Sequence, residues 1–494
     1  MTVNNPSINT IGLSMMNKEQ MDRIHKGTLQ ILEHTGVKVF EPESLELLHN
    51  AGARVDGPLV KIPPRMVEQA LETAPSAVTL FARDSSKNIA MEKNKIYYGT
   101  GSEVPFTIDL YSGERRRPLK QDNCHAAQLV EALEHIDFAM SLGVATDVPV
   151  DASDLHQFEA MILNTSKPIL FTAYQRGGLE SIIEIARLVA GGKEELRKKP
   201  HLALYAEPSS PLLHSGDALE KLLTCASEGI PLIYATTPML GATAPVTMGG
   251  ALVVANTEIL SGLVIHQLKA AGAPFIYGGG IPPMHMGTSI CSYGGPERDR
   301  GCISLVGLSQ YYNLPSFTTA GCTDAHIFDQ QAGMEAGFNL LIAGLAGGNL
   351  IHNLGYMGIG MISCLEHLLL CNEAVGGVKH LLRGIDTSDE HLALDLIDKV
   401  GPGGHFLADE HTMKHFRREL YFPQTLNRKN YDVWVKEGSK TFGEVANEQV
   451  RTILKNHHLE IISPETKEEI QKIVSRRDRQ VAREPGKTYL DSKK

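Results

Sequence analysis

No two of the seven cysteines stand as CxxC; they fall at 124, 225, 291, 302, 322, 364 and 371, odd in number and irregular in spacing. That excludes a disulfide framework and a compact zinc module, and makes a reducing, cytoplasmic setting the default. No run of about 18 apolar residues occurs, so no membrane span is expected. The opening MTVNNPSINTIGLSMMNKEQ lacks the basic-then-apolar order of a signal peptide. Basic residues are not in excess: 47 Lys and Arg against 57 Asp and Glu give a net charge of −10, without the basic face that nucleic-acid binding requires. A GxSxG elbow is absent, and GGGIPP at 278–283 is neither GxGxxG nor directly followed by a helix, which removes the usual serine-hydrolase and dinucleotide signatures. Aromatics are sparse, with a single tryptophan, Trp434.

What is present is an even rhythm. The 494 residues are 42% hydrophobic and 21% charged, an ordinary balance for a soluble enzyme. Short apolar runs bounded by Gly, Pro or polar residues read as buried parallel strands at 96–101, 138–145, 168–174, 201–208, 231–238, 274–280, 314–321 and 350–355. Their starts lie roughly 30 to 43 residues apart, the interval that a strand, a crossover helix and two loops occupy. Helical patterns fill the gaps, among them 119–133, 178–190, 217–228, 247–271, 296–312 and 330–346. Eight such units predict a (β/α)8 TIM barrel over 96–385. Residues 1–95 read as a helical cap, with Asn17 and Gln20 forming a capping box, Gly36 ending that helix, and further helices from near Pro42 and Pro63. Residues 386–494 read as a charged helical extension packed on the barrel, with its last twenty or so residues solvated.

In such barrels, sites lie past the C-terminal ends of the strands. There the sequence collects Glu103, Asp147, Tyr174, Gln175, Arg176, Glu207, Thr236, Thr237, His285, Thr323, Asp324, His326, His352, Asn353 and Tyr356. Many of these serve to satisfy loop hydrogen bonds in any barrel. Metal-ligand spacing is thin: Asp324-x-His326 at the mouth, His411-x-x-x-His415 on a charged helical face that reads as solvated, and His457-His458. Tyr97, Tyr98, Phe106, Tyr174, Tyr205, Tyr234, Tyr277 and Tyr356 all fall at or near strands. Several rings with a carboxylate beside them hold a quaternary ammonium by cation–π attraction, while each ring alone also suits core packing.

Taken together, PMLGATAPVTMGGALVVANTE over 238–258, TDA at 323–325, DQQAG at 329–333 and LAGGNLIH at 345–352 resemble the trimethylamine methyltransferase family, as do SGERRRP at 112–118, TSKP at 165–168 and ILEHTGV at 31–37. The resemblance spans nearly the whole chain. It implies a TIM barrel that moves a methyl group from a methylated amine to the cobalt of a corrinoid (cobalamin) carried by a separate protein, with no cofactor held tightly by this chain. Archaeal trimethylamine enzymes of the family contain pyrrolysine, whereas this sequence has only standard residues. It is thus more similar to the branch that demethylates quaternary amines: glycine betaine foremost, giving dimethylglycine and methylcobalamin, then proline betaine and carnitine. No acid–base residue is expected, because a quaternary nitrogen already leaves as a neutral amine. By their position near strand ends, and not by the resemblance, the expected substrate-binding residues are Tyr97, Tyr98, Tyr174 and Tyr356 with Glu103, Glu207 or Asp324 around the cation, Arg176, His326 and His352 for the carboxylate, and Thr237 beside them. A metal-dependent barrel hydrolase on Asp324, His326 and His352, and a non-catalytic betaine-binding module, are the alternatives. The small-residue helices 247–271 and 330–346 leave open whether they pack within the chain or against a second subunit.

Overall fold

The computed structural model describes residues 12–456 and 460–483. Its centre is a ring of parallel segments: β1 (Tyr97–Thr100), β2 (residues 138–139), β3 (Ile169–Phe171), β4 (Leu202–Ala206), β5 (Leu232–Thr236), β6 (Phe275–Gly279), β7 (Ser316–Thr319) and β8 (Leu350–Leu354). Strands β3 to β8 pair in chain order and β8 pairs with β1. Single bridges from Gly99 to Phe138 and from Ala139 to Ile169 insert β2 and close the ring. The predicted strand at 138–145 is reduced to this stub for a physical reason. Leu142 takes a left-handed backbone (φ 63°), and the Asn123 side chain donates to the carbonyls of Ser141 (2.7 Å) and Gly143 (2.8 Å), groups that a longer strand would have paired.

A helix follows each strand: Lys120–Ala132, Ser153–Asn164, Arg176–Ala190, Gly216–Glu228, Met248–Lys269, Pro296–Tyr311, Gln330–Ala346 and Leu365–Leu381. Both faces of the strands are covered, so their residues are apolar on both sides and separate only by alternation. Leu170, Ala203, Ile233, Ala235, Ile276, Phe317 and Leu350 fill the inside of the ring, and a hairpin of Val78–Leu80 with Ile89–Met91 plugs its N-terminal end. Ile169, Phe171, Leu204, Leu232, Phe275 and Ile351 pack outward under the helices, together with Tyr98, Tyr234 and Tyr277. The TSKP motif fastens this frame. Lys167 donates to the carbonyls of Val130 (2.7 Å), Leu133 (2.7 Å) and Ile136 (2.5 Å), where a cation offsets the negative helix end. Glu131 accepts from Thr165 Oγ1 (2.8 Å) and the Ser166 amide (2.7 Å).

The segment before the barrel holds helices Lys18–Gln30, Pro42–Asn50 and Pro64–Thr73, with the Asn17/Gln20 capping box closed at 2.9 Å in both directions. It is not purely helical as expected. Val37–Val39, Arg54–Asp56 and Leu59–Lys61 form a sheet with Leu213–His214 from the loop after β4. Gly36, at φ 81°, is required at the sharp entry to that sheet, since a Cβ there would sit 2.4 Å from the Val60 carbonyl oxygen. These helices cover Met248–Lys269, which accounts for the burial of its apolar length.

Beyond the barrel, Phe442–Asn456 packs on Leu365–Leu381 and Lys120–Ala132, and Pro464–Arg483 packs on Ser153–Asn164 and Arg176–Ala190. Residues 476–483 are therefore docked rather than loose, with Asp478 3.0 Å from His156 Nε2. His457-His458 and 484–494 lie outside the described residues.

Candidate active site

A cavity of about 320 Å³ opens at the C-terminal ends of the strands, within the size range of small-molecule sites. Its floor continues the inward alternation of the barrel: Tyr205 on β4, Phe317 and Thr319 on β7, and His352 on β8. The rings are close, with Phe317 and His352 centroids 4.1 Å apart and Tyr205 and Phe317 5.3 Å apart. The walls are Tyr293 from the loop after β6 and Tyr356 from the loop after β8. β8 changes register between Ile351 and Leu354, and Asn353 takes φ 81°, an uncommon conformation for a non-glycine residue. This irregularity places both His352 and Asn353 on the cavity.

Two carboxylates share the space. Glu103 accepts from Thr172 Oγ1 (2.6 Å) and from the Tyr174 hydroxyl, yet burial dominates and pushes its carboxyl up to about 7. Glu207 accepts from the Tyr205 hydroxyl; it is open to the cavity but ringed by protein, and that desolvation raises its carboxyl above the usual range. The loop after Glu207 is held by buried Glu258, which accepts from Ser210 Oγ (2.9 Å), the Leu212 amide (2.8 Å) and Thr236 Oγ1. His352 Nδ1 lies 2.9 Å from the Thr318 carbonyl, which only accepts, so the proton is on Nδ1 and Nε2 carries a lone pair. Burial holds this ring neutral, with its basicity lowered to about 3.

One cation completes the site. Arg298 is only 2% exposed, donates to the Tyr293 carbonyl (3.3 Å) and to Thr319 Oγ1, and stacks with its guanidinium carbon 4.8 Å from the Tyr293 ring centroid. Among the described residues no carboxylate forms an ion pair with it. A buried arginine stays charged, and such a charge without an anion is costly. It also occupies the first turn of helix Pro296–Tyr311, where the helix dipole disfavours a cation.

The Trimethylamine methyltransferase (MTTB) family matches residues 2–482. The chain belongs to this family. It is 32% identical to trimethylamine methyltransferase MttB of Desulfitobacterium hafniense (strain DSM 10664 / DCB-2), over 90% of each chain. It is 30% identical to the glycine betaine methyltransferase of D. hafniense (strain Y51), over 95% of this chain and 98% of that one. In fold it is similar to the monomethylamine methyltransferase MtmB of Methanosarcina barkeri, at a TM-score of 0.51 and 11% identity, over 91% of this chain and 89% of that one.

Against this methyltransferase frame, the residues expected to bind substrate fall into three groups. Glu103, Glu207, Thr237, His352 and Tyr356 line the cavity. Tyr174 and Asp324 stand behind it. Tyr174 touches Glu103, and Asp324 accepts from Ser292 Oγ (2.6 Å) and the Tyr293 amide (2.7 Å), so it positions the Tyr293 loop and does not face a ligand. The rest lie elsewhere. Tyr97 bonds the Ala90 amide (3.2 Å) at the opposite end of the barrel, and Tyr98 points outward to the Leu340 carbonyl (3.1 Å). Arg176 is an exposed surface residue paired with Glu180 (2.7 Å) and Glu220 (3.2 Å). His326 lines a larger cavity, about 510 Å³, between the mouth loops and helix Phe442–Asn456, away from the barrel axis.

Sequence reading missed Arg298, Tyr293, Phe317, Thr172 and Thr319, and noted Tyr205 without selecting it. For Arg298 a signal existed, a basic residue in the first turn of the helix that Pro296 starts. Tyr293 gave none, since it sits in a loop. His352, expected to meet a carboxylate, is a neutral ring presenting a lone pair, and the cationic group on the cavity is Arg298. Nor do Asp324, His326 and His352 converge as a hydrolase metal site would require. His415, expected on a solvated face, is buried, with the His391 and His411 rings 5.1 and 4.4 Å away.

Proposed function

We propose that the chain takes a methyl group from a carboxylated quaternary amine, glycine betaine in first place, and delivers it to the Co(I) of a separate corrinoid protein. The observation that carries this reading is the buried Arg298, charged, without an anionic partner, and facing a cavity of aromatic rings and carboxylates. A zwitterion completes both halves. Its trimethylammonium group rests against Tyr205, Phe317, Tyr293 and Tyr356 with Glu207 and Glu103 nearby, where each desolvated cation–π contact contributes about 2 kcal/mol. Its carboxylate meets Arg298 through charge-assisted hydrogen bonds. Because Arg298 stacks directly on Tyr293, the anion and cation subsites are adjacent. That favours a donor with one carbon between nitrogen and carboxylate over the longer carnitine.

The acceptor supplies the electron pair: the methyl carbon bonds to cobalt as its bond to nitrogen breaks, and nitrogen keeps that pair and leaves as the neutral tertiary amine, dimethylglycine. No proton moves, so the protein's task is to align and desolvate the methyl group. With reduced corrinoid protein, glycine betaine is expected to give the methylated corrinoid, with proline betaine and carnitine slower. Failure of all three sinks the proposal, and tight betaine binding without transfer points to the binding-module alternative.

Glu103 adds a pH dependence. Its carboxyl is raised, so it is neutral below about pH 7 and anionic above. Only the anion favours the substrate cation, whose own charge does not titrate. Hence kcat/KM is expected to rise with pH through about 7, reporting the free enzyme, and Glu103→Gln should flatten the rise. An unchanged inflection in that variant would remove Glu103 from the cation site.

A further inference from the structure

Over residues 386–419 the chain leaves the barrel in an excursion of three short helices, Asp389–Leu392, Leu394–Val400 and Glu410–Glu419. Among the described residues, the side-chain hydrogen bonds and ion pairs of 386–417 are internal: Lys414 and His411 to Glu390, Lys399 to Asp409, Thr412 to the Phe406 carbonyl. The excursion has no apolar core of its own, for its one buried residue is His415. Leu392, Leu394, Ile397, Phe406, Leu407 and Met413 are exposed, Leu407 to 80%. Ordering a backbone costs about 1–2 kcal/mol per residue, and apolar side chains left in water return none of the roughly 1.5–3 kcal/mol each that burial gives. Something else must cover them.

A second uncovered apolar surface lies on the same chain. Of the two small-residue helices, Met248–Lys269 is covered by the N-terminal segment, whereas Gln330–Ala346 keeps Met334 (69% exposed) and Phe338 (54%) one turn apart in solvent, with Leu381 and Ile385 also exposed. We propose that these two surfaces are one interface: the excursion is an association arm covered by a second copy of this chain, which offers the open face of Gln330–Ala346. The cover has to be permanent, because the arm is never without its apolar side chains, and a methyl acceptor that comes and goes does not meet that need. The size also fits. Taking about 150 Å², the lower end of the aromatic range, for each of these mostly aliphatic side chains, the exposed parts of the ten amount to roughly 900 Å² per copy. A two-fold exchange would then bury on the order of 2,000 Å², the range of obligate homodimers.

Sedimentation of the full-length protein tests this. The unmodified chain is expected at twice the protomer mass or a higher even multiple. The variant Leu394→Glu/Ile397→Glu/Leu407→Glu, and separately Met334→Glu/Phe338→Glu, are expected at the protomer mass with far-UV circular dichroism retained. Hydrogen exchange gives a readout that needs no substitution: amides of 394–400 and 410–419 should lose protection on dilution. A monomeric unmodified chain, association surviving either variant, or arm protection independent of concentration would each overturn the proposal.

Discussion

Replacing Arg298 with methionine is expected to lower kcat/KM for glycine betaine by about 100- to 1,000-fold, while choline, which keeps the trimethylammonium group but has a hydroxyl for the carboxylate, changes at most a few-fold. The size follows from physical chemistry: removing one member of a buried ion pair costs about 3–5 kcal/mol, mostly because the remaining charge is stranded without solvent. With choline no anion is stranded. Methionine nearly fills the volume, and it relieves a buried cation that has no anionic partner in the free protein, so the thermal midpoint should hold or rise. Arg298→Lys is expected to recover only part of the activity, since an ammonium cannot present the planar fork that also bonds the Tyr293 carbonyl and Thr319. Steady-state kinetics on both donors decides the matter: an equal loss on betaine and choline would make Arg298 a structural residue and leave the carboxylate without a partner.

The second large effect lies in the backbone under the cavity. Gly279→Ala is expected to destabilise the protein by more than about 3 kcal/mol, among the larger effects known for single substitutions. Gly279 ends β6 at φ 143°, opposite Thr236 of β5, and a Cβ there would stand 2.0 Å from the Thr236 carbonyl oxygen and 2.7 Å from its nitrogen. Those are main-chain atoms of a paired strand, so no side chain can swing aside. Displacing Thr236 also disturbs its bond to Glu258 and, through Glu258, the loop after Glu207. Gly249→Ala provides the contrast: it lies in helix Met248–Lys269 with nothing within 4 Å of the added carbon. Alanine there should be neutral or stabilise by up to about 1 kcal/mol. Denaturant unfolding of the two variants measures both, and equal stabilities would show that the β5–β6 edge yields more readily than its geometry indicates.

The barrel was legible because it is written in one dimension. Short apolar runs, Gly and Pro punctuation and a strand interval of roughly 30 to 43 residues are local signals, and they located the predicted helices and every strand except 138–145, which shrinks to its first two residues, to within a few residues. The site was only half legible. Glu103, Glu207, Thr237, His352 and Tyr356 stand close after strand ends, so proximity in sequence gave proximity in space. Tyr97 and Tyr98 failed that reasoning because both faces of a buried strand are apolar, and composition does not tell which neighbour points into the ring, out of it, or toward its far end.

What the sequence by itself determined is thus the frame and part of its chemical inventory: a (β/α)8 barrel, the rim residues that follow closely on strand ends, and a family whose motifs run the length of the chain. Tertiary structure decided the assignments within that inventory. It turned Asp324 from a ligand candidate into the support of Tyr293, sent Arg176 to the outer surface, and drew Arg298 from a helix start into the cavity wall. The reason is physical. A side chain's role depends on its direction, its burial and the partners that satisfy it, and these arise from packing between segments far apart in the chain.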